Sequence, residues 1–215
     1  MEKEYRLKKK ARLMKNPVPD SNNPFGYNFF YWGPLLCQLK LHSQDLKECA
    51  QLYSKRSSLV KELIAGVIKH EHYLSNRKYC KIITPYLASF RHAYNQWYRK
   101  PLTKKITVVS TWVNFMVAGE FFPPHIHTGC DFSSVLCVKT TEKLKEEHKK
   151  FSGIGAGPGA IEFCYGEFSP YSIASKQHFP EEGDFFIFPA ALKHFVTPFI
   201  SPGERITISA DFKLE

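Results

Sequence analysis

The chain predicts a mainly β protein with N-terminal helices, an α+β chain whose second half is a sandwich or jelly roll. Three observations carry that class. The apolar period changes from helical to alternating at Lys105. Beyond it, short β-branched and aromatic runs are separated by Gly and Pro turns. The charge divides at the same place: residues 1–105 hold 21 Lys and Arg against 7 Asp and Glu, and residues 106–215 hold 9 against 13. The chain therefore reads as a flexible basic arm at 1–25, a helical support region at 26–104 and a β domain at 105–215.

The elements follow in order. Residues 1–25 lack periodicity, and Asn16-Pro17-Val18-Pro19-Asp20 is not helical. The aromatic run from Phe25 to Trp32 is expected to pack on something. Ser43 is placed to cap a helix through Leu46 to Tyr53, and Ser58 to cap a second one bearing Leu59, Val60, Leu63, Ile64, Val67 and Ile68. Pro85 suits the first turn of a third, with Leu87, Phe90, Tyr94 and Trp97 on one face. His70, His72 and His92 are assigned to helices and to no ligand set. From Ile106 to Met116 the residues are β-branched and aromatic, hence a strand. Further strands are expected near 131–139, 160–165, 184–188, 193–199 and 205–213. A charged helical insertion is expected at Lys143 to Lys150 and a flexible loop at Gly153 to Gly159.

Composition excludes several classes. With 43% hydrophobic and 15% aromatic residues the chain can bury a sizeable core. No run of eighteen apolar residues is present, so no transmembrane helix is expected, and no apolar segment follows the basic N-terminus as a secretory signal requires. The six cysteines form no C-x-x-C pair and read as reduced thiols. The expected compartment is cytoplasmic. The net charge of +10 divides as +14 over residues 1–105 and −4 beyond, and the basic half attracts nucleic acid or another polyanion, or is simply a set of solvated helix faces and a disordered tail. No membrane partner is expected.

Three motifs carry chemistry. In Pro123-Pro124-His125-Ile126-His127, two histidines at spacing two share one strand face. In Gly183-Asp184-Phe185-Phe186-Ile187-Phe188-Pro189, a turn glycine launches an apolar strand; a Pro-Ala turn then reverses the chain, and His194 opens the next strand. A jelly roll can bring His194 opposite the first pair, and facial N/O ligands with open positions are what a non-haem Fe(II) oxygenase needs. In Arg205-Ile206-Thr207-Ile208-Ser209, Arg205, Thr207 and Ser209 share a face and make a carboxylate clamp. Phe163, Phe186 and Phe188 are candidates for an apolar lining.

Taken together, in this order and spacing, the motifs resemble the 2-oxoglutarate/Fe(II)-dependent oxygenase superfamily, and within it a compact group of oxygenases common in bacteriophages. The pattern runs from Trp112-x-Asn114 through Gly119, Pro124-His125-x-His127, Phe132-Ser133-Ser134-Val135, Gly159-x-Ile161-x-Phe163 and Gly183-Asp184 to Phe188-Pro189, His194 and Glu204-Arg205-Ile206-x-Ile208-Ser209. It covers roughly residues 105–213. The resemblance implies a double-stranded β-helix (jelly-roll, cupin-like) core and an oxidoreductase, a dioxygenase that hydroxylates a substrate of unread identity. Its cofactors would be Fe(II), 2-oxoglutarate as co-substrate and O₂. It makes His125 and His194 iron ligands, Arg205 the partner of the far carboxylate of 2-oxoglutarate with Thr207 or Ser209 as helper, and Asn114 a further co-substrate contact.

One position departs from the superfamily. The usual triad is His-x-Asp/Glu…His, and His127 stands where the carboxylate belongs. Three readings stay open: His127 is the third ligand, Asp131 replaces it, or two histidines bind iron with water in the gap. The rival class is a non-catalytic jelly-roll binding module.

Overall fold

In the computed structural model, the residues described are 33–53 and 66–215. The predicted arm at 1–25, the aromatic run from Phe25 to Trp32 and most of the helix expected from Ser58 lie outside them. The order is β1 (Cys37–Lys40), α1 (Ser43–Leu52), β2 (His70–Tyr73), α2 (Asn76–Tyr98), β3 (Ile106–Met116), β4 (Phe122–His125) and β5 (Phe132–Lys139). There follow α3 (Glu142–Lys150), β6 (Ile161–Cys164), β7 (Ser175–His178), β8 (Asp184–Pro189), β9 (Lys193–Val196) and β10 (Arg205–Leu214).

The strands form two antiparallel sheets, one of six strands in the order β1-β8-β5-β10-β3-β2 and one of four in the order β4-β9-β6-β7. This is the jelly-roll architecture the sequence predicts. Both edge strands of the larger sheet, β1 and β2, come from before Lys105. The segment expected to be a helical support thus also completes the sheet.

Alternation sorts the two faces of that sheet. On β10, Ile206, Ile208, Ala210 and Phe212 join one core cluster with Val113, Phe115, Leu136, Phe185 and Ile187, and helix α2 covers it with Tyr79, Ile83, Tyr86, Leu87 and Phe90. The opposite parity, Arg205, Thr207, Ser209 and Asp211, lines a cavity toward the second sheet. On β8, Phe186 and Phe188 enter a second cluster with Phe163, Ile161, Leu192 and Val196. Strand β8 is therefore apolar on both faces, as a central strand covered on each side must be.

Three sequence expectations are corrected. Helix α2 starts at Asn76, capped by the Ser75 side chain accepting from the Lys78 N–H, and passes through Pro85 in its interior. An interior proline costs about 3 kcal/mol. The five apolar and aromatic side chains that α2 buries return about 1.5–3 kcal/mol each, so packing outweighs the local rule. Ser43 is the first helical residue of α1 and His42 takes the cap position. His70 and His72 lie on a strand, since β2 pairs with β3 (His70↔Phe115, His72↔Val113), and Val67 bridges Phe121 where a helix was expected to end. His92 is helical as expected.

Gly183 supplies the turn into β8 with φ +91°, and its N–H and carbonyl bond Cys137 and Leu41. Helix α3 occupies the predicted insertion, capped by Thr141 accepting from Leu144. All six cysteines are free. Among the described residues, no helix is long and apolar enough to cross a membrane.

Candidate metal and co-substrate site

Strand pairing builds the histidine cluster. His125 ends β4 and is the direct cross-strand partner of His194 on β9, with ring centroids 4.3 Å apart. His127 lies two residues beyond the strand, and its backbone N–H bonds the Ala190 carbonyl in the turn that joins β8 to β9. That same turn is closed by Leu192 N–H on the Pro189 carbonyl. One hydrogen-bonded corner thus holds His127 and His194 in register, their rings parallel and 5.3 Å apart. A ligand atom from each of His125, His127 and His194 lies within 4.8 Å of the others.

Tautomers follow from the neighbours. His125 Nδ1 donates to the Pro123 carbonyl at 2.7 Å and His194 Nδ1 to the Leu192 carbonyl at 2.9 Å. A carbonyl only accepts, so both protons sit on Nδ1 and both Nε2 atoms keep a lone pair. Burial pushes His194 down to about 3, with His125 and His127 adding to the effect against the Leu192 hydrogen bond. Burial also lowers His125, outweighing its Pro123 bond. Both rings are neutral at pH 7, the form that binds metal.

His127 has a different neighbour. Its Nδ1 lies 3.2 Å from Asp211 Oδ1, within ion-pair distance though not aligned as a hydrogen bond. That oxygen is buried and has no hydrogen-bond partner among the described residues. Asp131, the alternative third ligand, is not part of the cluster: its Oδ2 accepts from the Leu214 N–H at 2.8 Å. The strand ends at His125 and Gly129 turns with φ +75°, so the parity count from His125 to Asp131 does not carry through.

The cavity beside the histidines has a volume of about 330 Å³ and is walled by Trp112, Phe122, Ile126, Val135, Ile161 and Val196 among its apolar residues. Phe163 and Phe188 instead pack behind His194, 5.9 and 4.8 Å from its ring, and Phe186 packs against Phe163. They brace the site rather than line it. Arg205, Thr207 and Ser209 all reach the cavity, as does Asn114, whose Nδ2 donates to Thr207 Oγ1 at 3.3 Å and Ser209 Oγ at 3.2 Å. Asn114 thereby occupies a lone pair of each hydroxyl and leaves both O–H groups to donate elsewhere.

Arg205 is the decisive electrostatic feature. It is 2% exposed, and its Nε and Nη2 have no partner among the described residues. Burial lowers its affinity for the proton, with Cys137 acting weakly the other way. An unpaired buried charge costs several kcal/mol, which a bidentate carboxylate from a ligand would offset. The buried Asn114 Oδ1 also lacks a hydrogen-bond partner among the described residues.

Both carboxylates of the cavity were missed by sequence reasoning. Asp211 continues the parity of Arg205, Thr207 and Ser209 and was legible from it. Glu71 comes from the edge strand β2, opposite Asn114 in register. It is 6% exposed, and burial raises its carboxyl to about 7 against the lowering effect of His127.

The donor set fits the cofactors of the resemblance: three imidazoles with metal-ready lone pairs, and across the same cavity a buried unpaired guanidinium beside two hydroxyls. Comparison with known proteins agrees. Residues 110–211 match the family described as "Putative 2OG-Fe(II) oxygenase". No curated protein sequence matches the chain. Among solved structures, a prolyl-4-hydroxylase from Pseudomonas putida is similar with a TM-score of 0.55 at 15% identity, over 84% of this chain and 92% of that one. A prolyl hydroxylase from Trichoplax adhaerens, in complex with a hypoxia inducible factor peptide fragment, gives 0.53 at 13% identity over 83% of each chain. HygX from Streptomyces hygroscopicus, with nickel and 2-oxoglutarate bound, gives 0.52 at 8% identity, over 83% of this chain and 82% of that one. Identities this low speak for the fold. The family match covers the strands that carry the histidines, Asn114 and the Arg205 face, so the jelly-roll segment at 110–211 is the part of the chain similar to the 2OG-Fe(II) oxygenase family.

Proposed function

We propose that the protein is a 2-oxoglutarate- and Fe(II)-dependent dioxygenase, a hydroxylase whose metal is held by His125, His127 and His194. The observation that carries this is the pairing of the three-histidine cluster with the buried, unpartnered Arg205 across one cavity. All these groups fall within 105–215, the segment read as the oxygenase domain.

When bound, Fe(II) would supply O₂ activation coupled to decarboxylation of 2-oxoglutarate to succinate and CO₂. The chain's own residues do the rest. Arg205 takes the far carboxylate of the co-substrate, with Thr207 and Ser209 donating hydroxyl protons to it. Asn114 fixes those two hydroxyls. The Pro123 and Leu192 carbonyls hold two of the imidazoles in the ligating tautomer. Trp112, Ile161 and Val196 keep water from the reacting face, which strengthens each polar contact inside.

A three-histidine site carries no anionic ligand, and the Asp211 carboxylate beside His127 restores a negative charge one shell out. Equilibrium titration with Fe(II) under argon tests the ligand set. The wild type should bind one equivalent, and His125→Ala, His127→Ala and His194→Ala should each weaken binding by tenfold or more, on the order of what outer partners alone cost. Unchanged affinity in His127→Ala would reduce the centre to two histidines. Loss of no affinity in any variant would overturn the reading.

A further inference from the structure

The inward face of the large sheet carries one buried cation, Arg205 on β10, and two carboxylates, Asp211 on β10 and Glu71 on the edge strand β2. Down β10 the cavity residues run Arg205, Thr207, Ser209 and Asp211, from a buried cation to a carboxylate. Beside them β3 presents Asn114, Trp112 and Ser110, and the edge strand β2 presents Glu71 and Tyr73. In register, Glu71 lies opposite Asn114, and Tyr73 opposite Trp112. Glu71, Asn114 and Thr207 thus form one cross-strand row and Tyr73, Trp112 and Ser209 the next, with the Trp112 ring 5.9 Å from that of His127.

Binding of the co-substrate at Arg205, Thr207 and Ser209 calls for no carboxylate from the protein. A dianion drawn to Arg205 gains nothing from a further carboxylate, and Asp211 already stands beside His127, which leaves Glu71 without a part in metal or co-substrate binding. Glu71 is more than nine-tenths buried, faces the cavity, and makes no hydrogen bond or ion pair among the described residues. An edge strand of polar sequence, HEHY, would be expected to leave a glutamate in water; here the cavity face takes it.

We propose, resting on the oxygenase reading, that the primary substrate presents a cationic nitrogen group, an ammonium or guanidinium, which binds at Glu71 between the rings of Tyr73 and Trp112. A carboxylate in a low-dielectric wall with aromatic faces beside it is the arrangement that replaces the hydration of such a cation. Tyr73 is 47% exposed, so the corner opens to solvent and a long side chain can enter it head first. The remainder of that chain would then lie over Trp112 toward the histidine cluster. The cost of ionising an unpaired Glu71, evident in its raised carboxyl, is what an arriving cation relieves.

The test is anaerobic calorimetry on the Fe(II)/2-oxoglutarate protein with four probes: Nα-acetyl-lysine amide and Nα-acetyl-arginine amide, and their uncharged norleucine and citrulline counterparts. The cationic probes should bind about tenfold or more tightly than the neutral ones, the discrimination expected of one charge-assisted contact. The better of the two cations distinguishes ammonium from guanidinium. Glu71→Gln should erase most of that preference while still binding Fe(II) and 2-oxoglutarate, which shows that the site is folded. Tyr73→Leu, at a half-exposed position, should reduce it by about threefold. Equal affinity for charged and neutral probes, or a preference untouched by Glu71→Gln, would overturn the proposal. If the wild type fails to take up metal and co-substrate but the metal-free protein keeps the preference, the oxygenase reading falls and the cation site stands.

Discussion

His127 Nδ1 and Asp211 Oδ1 lie 3.2 Å apart, and that buried oxygen has no hydrogen-bond partner among the described residues. The residue that replaces the superfamily's carboxylate ligand thus brings its own carboxylate behind it. Asp211→Asn should lower Fe(II) affinity by about tenfold, in the range that outer partners of metal histidines command. Asp131→Ala, which breaks only a bond to the Leu214 N–H, should leave it unchanged. Equilibrium metal titration of the two variants decides. A loss in Asp131→Ala with none in Asp211→Asn would reverse the assignment.

Arg205 separates stability from function. Replacing it with methionine removes a buried charge whose Nε and Nη2 have no partner among the described residues, so stability should hold or rise. The same variant should lose on the order of a hundredfold or more in 2-oxoglutarate affinity, about the worth of a bidentate charged contact. Fe(II) affinity should stay within about twofold, since Arg205 is not in the histidine cluster. Thermal unfolding and co-substrate titration read the two effects independently.

The two titrating groups of the cavity pull in opposite directions. His194 falls from 6.5 to about 3 on folding, so as pH drops below 6.5 the unfolded chain takes up a proton that the folded one refuses. Metal-free protein should therefore lose stability from about pH 6.5 toward 3, by up to roughly 1.4 kcal/mol per pH unit for that one proton. Glu71 rises from 4.5 to about 7, and its contribution is present below 4.5 and is lost as pH climbs to 7. Glu71→Gln should accordingly raise metal-free stability at pH 8 relative to wild type. Denaturant melts at pH 4, 6 and 8 show both slopes; no difference between wild type and Glu71→Gln at pH 8 would contradict the second.

Gly183 is held by geometry. Its φ of +91° is unfavourable for any residue with a Cβ, and a Cβ there would sit 3.3 Å from the Leu41 carbonyl. Gly183→Ala should destabilise by about 1–2 kcal/mol, read as a lowered midpoint in chemical unfolding. A neutral effect would mean that the turn into β8 relaxes freely.

How much of this was legible follows from the kind of signal each element leaves. Strands β3, β5, β8 and β10 are long and apolar by parity, and the sequence places each within a residue or two. Strands β1, β2 and β7 are four residues long, and SKQH has no apolar alternation to read. They are strands because a neighbour offers a sheet edge, which is tertiary information. Helix α2 was cut short at Pro85 because the local rule is visible in sequence while the core it packs on is not. The histidines and Arg205 were legible because their chemistry is rare and their spacing ordered. Asp211 lay one step further along a parity already in use. Glu71 left no such trace, since its role depends on β2 pairing with β3 at a register set by the folded sheet.

The central claim, one cavity that holds a metal on three histidines and 2-oxoglutarate on Arg205, has a direct optical test. Metal-free protein is titrated anaerobically with Fe(II) and then 2-oxoglutarate while the visible charge-transfer band of the chelate is followed. The account predicts a band that saturates at one equivalent of each and is absent in His194→Ala. Iron that fails to bind, or binds without the band, would contradict it and leave a jelly roll that binds ligands without the oxygenase chemistry.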